Sequence, residues 1–224
     1  MNAFVIQVNY QGHVPLADMA KRFGLSSTVG AALSFKMKHN LWLDFEGNFL
    51  FGNDIKEDSL FSSIKASNGS IIGVTGIFES INLMERGFMF RASIGKVFPL
   101  GKPNVNSGLY VKLGAGFLQH KIGISTDNDA ALPQISGDYI KGYDRMTNGL
   151  MLSQFIGYMY LSNSRILNFY AGFEIIEGFT KGRRTWLFDE RKSGEDNRTD
   201  ILISFKIGWL LPIYYKTTQK YYYN

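Results

Sequence analysis

Residues 27–51, STVGAALSFKMKHNLWLDFEGNFLF, read as two long strands joined by a tight polar turn. Val29, Ala31, Leu33, Phe35 and Met37 take every second position, and Thr28, Gly30, Ala32, Ser34 and Lys36 fill the gaps. After Lys38, His39 and Asn40 the period of two resumes. Leu41, Leu43, Phe45, Gly47, Phe49 and Phe51 share one face, and Trp42, Asp44, Glu46, Asn48 and Leu50 the other. Strands in globular proteins usually run about five or six residues, whereas about nine to eleven tilted residues cross a bilayer. Each strand here is of the second kind.

The composition agrees. Phe 18, Tyr 12 and Gly 24 against Pro 5 favour a β-rich chain with close backbone contacts. Mean hydropathy is −0.07, and no run of about eighteen apolar residues offers a transmembrane helix. A barrel escapes that filter because lipid-facing and lumen-facing residues alternate and cancel. The chain has no Cys, which excludes disulfides, thiolate metal sites and a Cys nucleophile. Its net charge of +5 is modest, and no basic stripe interleaved with stacking aromatics points to nucleic acid. Met1 opens almost directly onto a strand, so the expectation is a precursor whose secretory signal this numbering omits.

The same alternation marks Ala3 to Val14, Gly87 to Phe98, Gly108 to Ile124, Gly149 to Leu161 (the least regular), Ile166 to Glu177 and Asp200 to Leu211. With the opening hairpin these make eight strands. The links after the second, fourth and sixth are short, and those after the first, third, fifth and seventh are long. Outer-membrane barrels have an even strand number, short periplasmic turns and long external loops. The expected fold is therefore all-β, an eight-stranded antiparallel up-and-down transmembrane β-barrel over residues 1–212, followed by a periplasmic tail, 213–224. Both termini are expected in the periplasm.

A soluble eight-stranded barrel such as a lipocalin shares this strand pattern, and the polar face separates the two. It carries Gly30, Ala32, Ser34, Gly95, Gly114, Gly116, Gly172 and Gly208, small residues of the kind that a crowded, narrow barrel interior requires. The opposite face is rich in Phe and nearly free of charge, which water would not tolerate over such an area. The lumen is thus expected to hold Lys36, Arg91, Lys112 and Lys206 with Asp44, Glu46 and Glu174. Unpaired ions there cost several kcal/mol each, roughly, so the set should pair across strands and plug the barrel rather than line a pathway.

Catalytic and metal signals are weak. The histidines are His13, His39 and His120. A rim His with Ser125, Asp127 or Asp129 would suit an acyltransferase or protease, but no spacing supports it. Asp127-Asn128-Asp129 lacks the Gly and closing Glu of a calcium loop, and neither Lys102-Pro103-Asn104 nor Gly114-Ala115-Gly116 leads into a phosphate-binding helix. No catalytic residue, cofactor or metal is assigned. Lys181 to Arg184 is basic enough to touch lipopolysaccharide, and Tyr221, Tyr222 and Tyr223 form an aromatic tail.

Several loop–strand junctions carry a family likeness: Asp18-Met19-Ala20-Lys21-Arg22-Phe23-Gly24, Leu50-Phe51-Gly52-Asn53 with Lys56-Glu57-Asp58, Glu85-Arg86-Gly87-Phe88, and Lys141-Gly142-Tyr143-Asp144-Arg145 with Thr147-Asn148-Gly149. Through them the chain resembles the small outer-membrane β-barrel proteins of Bacteroidetes, the group that includes accessory barrels of the type IX secretion system. The resemblance implies an outer-membrane location and a barrel fold. The resulting expectation is a non-enzymatic accessory or structural subunit of an outer-membrane assembly or secretion complex. Its partners would be other outer-membrane proteins, lipids and lipopolysaccharide, contacted through Lys56, Glu57, Asp58, Glu79, Arg183, Arg184 and the Tyr221 to Tyr223 tail. The alternatives are a stand-alone envelope-stabilising or lipopolysaccharide-binding barrel and, third, an outer-membrane enzyme.

Overall fold

Eight antiparallel strands close on themselves in the computed structural model, which describes residues 3–57, 60–62, 64–66, 70–74, 76–101, 105–126, 132–162 and 167–213. The staves are β1 (Ala3–Ala17), β2 (Ser26–Lys36), β3 (Leu41–Gly52), β4 (Ile81–Pro99), β5 (Gly108–Thr126), β6 (Thr147–Leu161), β7 (Asn168–Gly182) and β8 (Asn197–Ile213). Each strand pairs with its neighbours in sequence, and β1 pairs with β8 from Phe4↔Ile213 to Ala17↔Asp200, leaving no free edge. Closure matters because every backbone N–H and C=O in hydrocarbon must find a partner within the protein.

The alternation sorts side chains as the sequence suggests. Phe4, Ile6 and Val8 of β1, Phe45 and Phe49 of β3, Phe90 and Ile94 of β4, and Phe205, Ile207 and Trp209 of β8 all point outward and lie exposed. This apolar belt belongs in lipid. The β2–β3 turn reverses through a left-handed pair, His39 (φ 60°) and Asn40 (φ 57°), and Met37 N donates to Leu41 O at 2.7 Å. Positive φ at successive turn residues matches the twist of the flanking strands.

The strands outrun the alternating stretches. β4 begins at Ile81 rather than Gly87, β7 continues to Gly182, and β8 begins at Asn197. Above the belt both faces meet water or loops, so the ladder persists where the hydrophobic rhythm has stopped. β6 lacked a clean rhythm because Met151, Phe155 and Met159 fill the lumen while Leu150, Leu152 and Ile156 face out. Both of its faces are apolar.

The long links are also structured. The β3–β4 link carries a ribbon pairing Ile71–Ile72 with Phe78–Glu79, and the β7–β8 link carries another pairing Arg184–Leu187 with Lys192–Gly194. Short 3-10 turns occupy Met19–Lys21 in the β1–β2 link and Pro133–Ile135 and Gly137–Gly142 in the β5–β6 link. Residues 213–224, expected as a tail, lie outside the described residues beyond the backbone of Ile213, and so do Asp127, Asp129 and residues 102–104.

Candidate functional site

The lumen is filled in three layers. Nearest the short turns, Val5, Trp42, Val97, Tyr110, Phe155, Met159, Tyr170 and Leu210 pack as an aromatic floor. The rings of Tyr110, Phe155 and Tyr170 meet edge-on with centroids 5.6–5.9 Å apart. Glycine makes room for them: a Cβ on Gly208 would come within 2.3 Å of the Tyr170 ring.

Above the floor lies a layer of buried ions. Arg91 on β4 reaches Glu46 on β3 at 2.5 Å and Glu174 on β7 at 3.0 Å. Lys206 on β8 sits 2.7 and 2.9 Å from the two oxygens of Glu46, with Glu174 at 3.6 Å. Lys112 on β5 lies 2.7 Å from Asp44 and 3.7 Å from Glu46. Tyr110 Oη donates to Asp44 at 3.1 Å, and Gln7 donates to Asp44 at 3.3 Å and to Ser34. Three cations therefore face three carboxylates, with all six residues buried. Lys36 does not belong to this layer: it is half-buried near the short turns, where it donates to Asn106 Oδ1 at 2.6 Å. As the last residue of β2 it stands opposite Trp42 of the aromatic floor, with its ammonium 6.0 Å from the centroid of that ring and turned to Asn106 rather than to the carboxylates.

The third layer is an apolar cap built jointly by barrel and loops. Leu50, Met89, Leu118, Ile122, Met151, Ile176 and Leu202 from the strands pack with Met19, Phe23, Leu60, Phe61, Ile71, Leu132, Ile135 and Tyr143 from the links. The links that seal the lumen are themselves tied together at the rim. Arg145, with a left-handed backbone (φ 48°), contacts Asp189 at 2.5 Å, Glu190 at 3.0 Å and Glu57 at 3.3 Å. Arg22 reaches Glu57 at 3.4 Å and donates to Thr147 Oγ1 at 3.1 Å. Arg184 grips Asp144 with two bonds of 2.7 and 2.5 Å. All four long links thus meet in one ion cluster. Burial pushes the Arg22 guanidinium down to about 10, still cationic at neutral pH. Lys21 and the Thr199 N–H hold the Asp18 carboxyl below the usual range, and although burial opposes it, the hydrogen bond from Lys192 and the charge of Arg145 hold Glu190 down as well.

The loop residues singled out in the sequence have different fates. Glu57 is clasped by Arg22 and Arg145, and Arg184 by Asp144, so both hold the rim together instead of presenting a free charge. Glu79 is buried, because alternation in its ribbon turns it inward while Phe78 faces out. Lys56 is exposed and donates to Ala20 O at 3.2 Å, and Arg183 is exposed and donates to Asn148 Oδ1 at 2.6 Å. Asp58 and Tyr221, Tyr222 and Tyr223 lie outside the described residues.

Among the described residues no hydrolytic constellation forms around the histidines. His120 is fully buried, 2.9 Å from Asp200, and the Phe23 ring covers it edge-on at 5.4 Å. Thr180 donates to the same carboxylate oxygen at 2.6 Å, so its hydroxyl is spent on the acid rather than offered to the imidazole. His13 meets Thr28 at 3.0 Å inside the barrel. Among the described residues no group of three or more His, Asp or Glu is placed to hold a metal. The Arg145 cluster and the His120–Asp200 pair are absent from the sequence reading. His120 did stand on the inward face of β5, and Asp144-Arg145 opened β6, but neither carries the address of a partner on another strand or loop.

No family model and no curated protein matches the chain. Solved structures that resemble it include Neisserial surface protein A, at 10% identity and TM-score 0.44 with 93% of this chain and 97% of that one covered. Ail, the attachment invasion locus protein of Yersinia pestis, aligns at 11% identity and TM-score 0.43, covering 94% and 99%. The outer membrane protein OprG from Pseudomonas aeruginosa aligns at 11% and 0.33, covering 92% and 95%.

Proposed function

We propose that this chain is a non-enzymatic outer-membrane barrel that serves as an accessory or structural subunit of a larger outer-membrane assembly, with its long links outside and both termini in the periplasm. One observation carries the reading: above a lumen filled at three levels, the rim links are tied together by ion pairs and yet expose apolar side chains. In the β3–β4 ribbon, Ile71 and Glu79 are buried as anchors while Ile72, Val74, Ile77 and Phe78 stand 50–68% exposed. These four lie in the link beyond the strands that carry the lipid belt, and apolar groups held out into water mark an interaction surface. A barrel whose lumen is filled by its own side chains has its outer face left to work with.

The test is affinity purification of the tagged protein from its native membrane in mild detergent, comparing wild type with a variant carrying Ile72→Ser, Val74→Ser, Ile77→Ser and Phe78→Ser. The expected result is a stoichiometric outer-membrane companion that the variant loses while keeping its urea midpoint. These substitutions are preferable to deleting the link, which would also remove Glu57 from the rim cluster. A wild-type protein that purifies alone would favour the stand-alone, envelope-stabilising barrel instead. That second reading draws on Arg183, whose exposed side chain at the top of β7 suits lipopolysaccharide.

A further inference from the structure

On the outer wall of β3–β6 an open, shallow groove of about 640 Å³ interrupts the lipid belt. Its floor is Ala92 and Ala115, directly opposite each other on β4 and β5, and Phe45, Phe90, Phe117 and Leu150 form its walls. The groove exists because Phe90 leans over β3: a Cβ on Gly47 would meet its ring at 3.1 Å. With Gly at 47 the ring lies across the neighbouring strand, and the two alanines stay bare.

Four residues toward the long links from Phe90 and Phe117, Arg86 stands opposite Lys121, roughly 13 Å away at about 3.3 Å per residue. Both continue the outward phase of their strands. Lys121 is exposed and Arg86 half-exposed. Arg86 donates to the carbonyl of Glu85 at 3.0 Å, and among the described residues neither cation forms a salt bridge, although the rim cluster above them is dense with pairs. Two cations without counter-ions above an apolar groove that opens into the bilayer match a lipid with an anionic head: long basic side chains at that level reach toward headgroups.

We propose that this wall holds one phosphorylated membrane lipid, an acyl chain lying over Ala92 and Ala115 and the phosphate between Arg86 and Lys121. The proposal is independent of the subunit role. Native mass spectrometry of the protein in dodecyl maltoside tests it, with diphosphoryl lipid A as probe and phosphatidylcholine as neutral control. Wild type should bind one lipid A in preference to phosphatidylcholine. Arg86→Gln with Lys121→Gln should weaken binding roughly twenty-five-fold, at about five-fold per cation, and abolish its salt dependence. Ala115→Phe fills the groove from the lipid side; it should weaken binding about ten-fold and leave the salt dependence intact. Heat-modifiable gel migration checks that each variant is folded, and should one fail to fold, the other decides. Equal uptake of phosphatidylcholine, or wild-type affinity in a folded variant, overturns the proposal. So does a dimer that Ala115→Phe dissociates without changing lipid uptake.

Discussion

Two ion clusters sit in this molecule, one around Glu46 inside the barrel and one around Arg145 at its rim, and they are held in place by opposite means. In the lumen, strand register fixes the partners: Glu46 faces Arg91 directly across the β3–β4 ladder, and Lys206 arrives from the far wall. At the rim no ladder brings Glu57, Asp189 and Glu190 to Arg145; three links converge there because their own apolar residues pack into the cap. The inner cluster is a consequence of the barrel. The outer one is a reason the loops have a shape.

The contrast predicts a hierarchy of effects. Glu46→Gln should be the most damaging single change, because Arg91, Lys206 and Lys112 would keep only Asp44 and Glu174. Stranding a buried charge costs about 3–5 kcal/mol, to be read as a lowered urea midpoint in lipid vesicles. Pairing Glu46→Gln with Lys206→Met should recover a large part of that loss. If the double variant is as unstable as the sum of the singles, the layer is not an interdependent network.

Arg145→Ala should cost less, about 1–3 kcal/mol, and should show where the loops open rather than where the barrel unfolds. Amide exchange in Arg184–Leu187 and in Gly137–Gly142 should accelerate while the strands stay protected. Equal loss of protection in β3 and β4 would merge the two clusters into one cooperative unit.

Acid should act on the rim in the same direction but more gently. Asp18 has a folded pKa below its ordinary 3.8, held there by Lys21 and the Thr199 N–H. The contribution is therefore complete above 3.8 and lost as pH falls through the lower folded value. Exchange of the Thr199 amide should rise in that window, and Asp18→Asn should remove the pH dependence. Lys36→Met should do least, under about 1 kcal/mol by the same urea measurement, because it costs the contacts with Asn106 and the Trp42 ring and breaks no ion pair of the lumen.

How much of this was legible in the sequence follows the same division. Alternation along each strand, clearest over Val29 to Phe51, gives the strands, their faces and the inward phase of Asp44, Glu46, Arg91, Lys112, Glu174 and Lys206, since a period of two is a local property. It puts Lys36 among the lumen ions, although Lys36 stands level with Trp42 in the floor and bonds to Asn106: periodicity reports the face, and only register reports the level. The rim was invisible for a different reason. Arg145, Asp189 and Glu57 lie in links without period, and their meeting depends on how Phe61, Tyr143 and Ile71 pack in three dimensions. Glu79 and Arg184 looked free because a short ribbon offers too few residues to show which of its sides is covered.

The arrangement of charge along the chain bears on how such a barrel enters a membrane. Asp44, Glu46, Arg91 and Lys112 come from β3, β4 and β5 and sum to zero; Glu174 and Lys206, on the adjacent strands β7 and β8, sum to zero again. A sheet that grows from either end, a few staves at a time, can neutralise its own lumen charge before the β1–β8 seam closes. The net charge of this ion layer is then small before closure, and closing the barrel exchanges partners as well as ladder bonds, since Lys206 ends 2.7 and 2.9 Å from Glu46 and Arg91 3.0 Å from Glu174 on the other half.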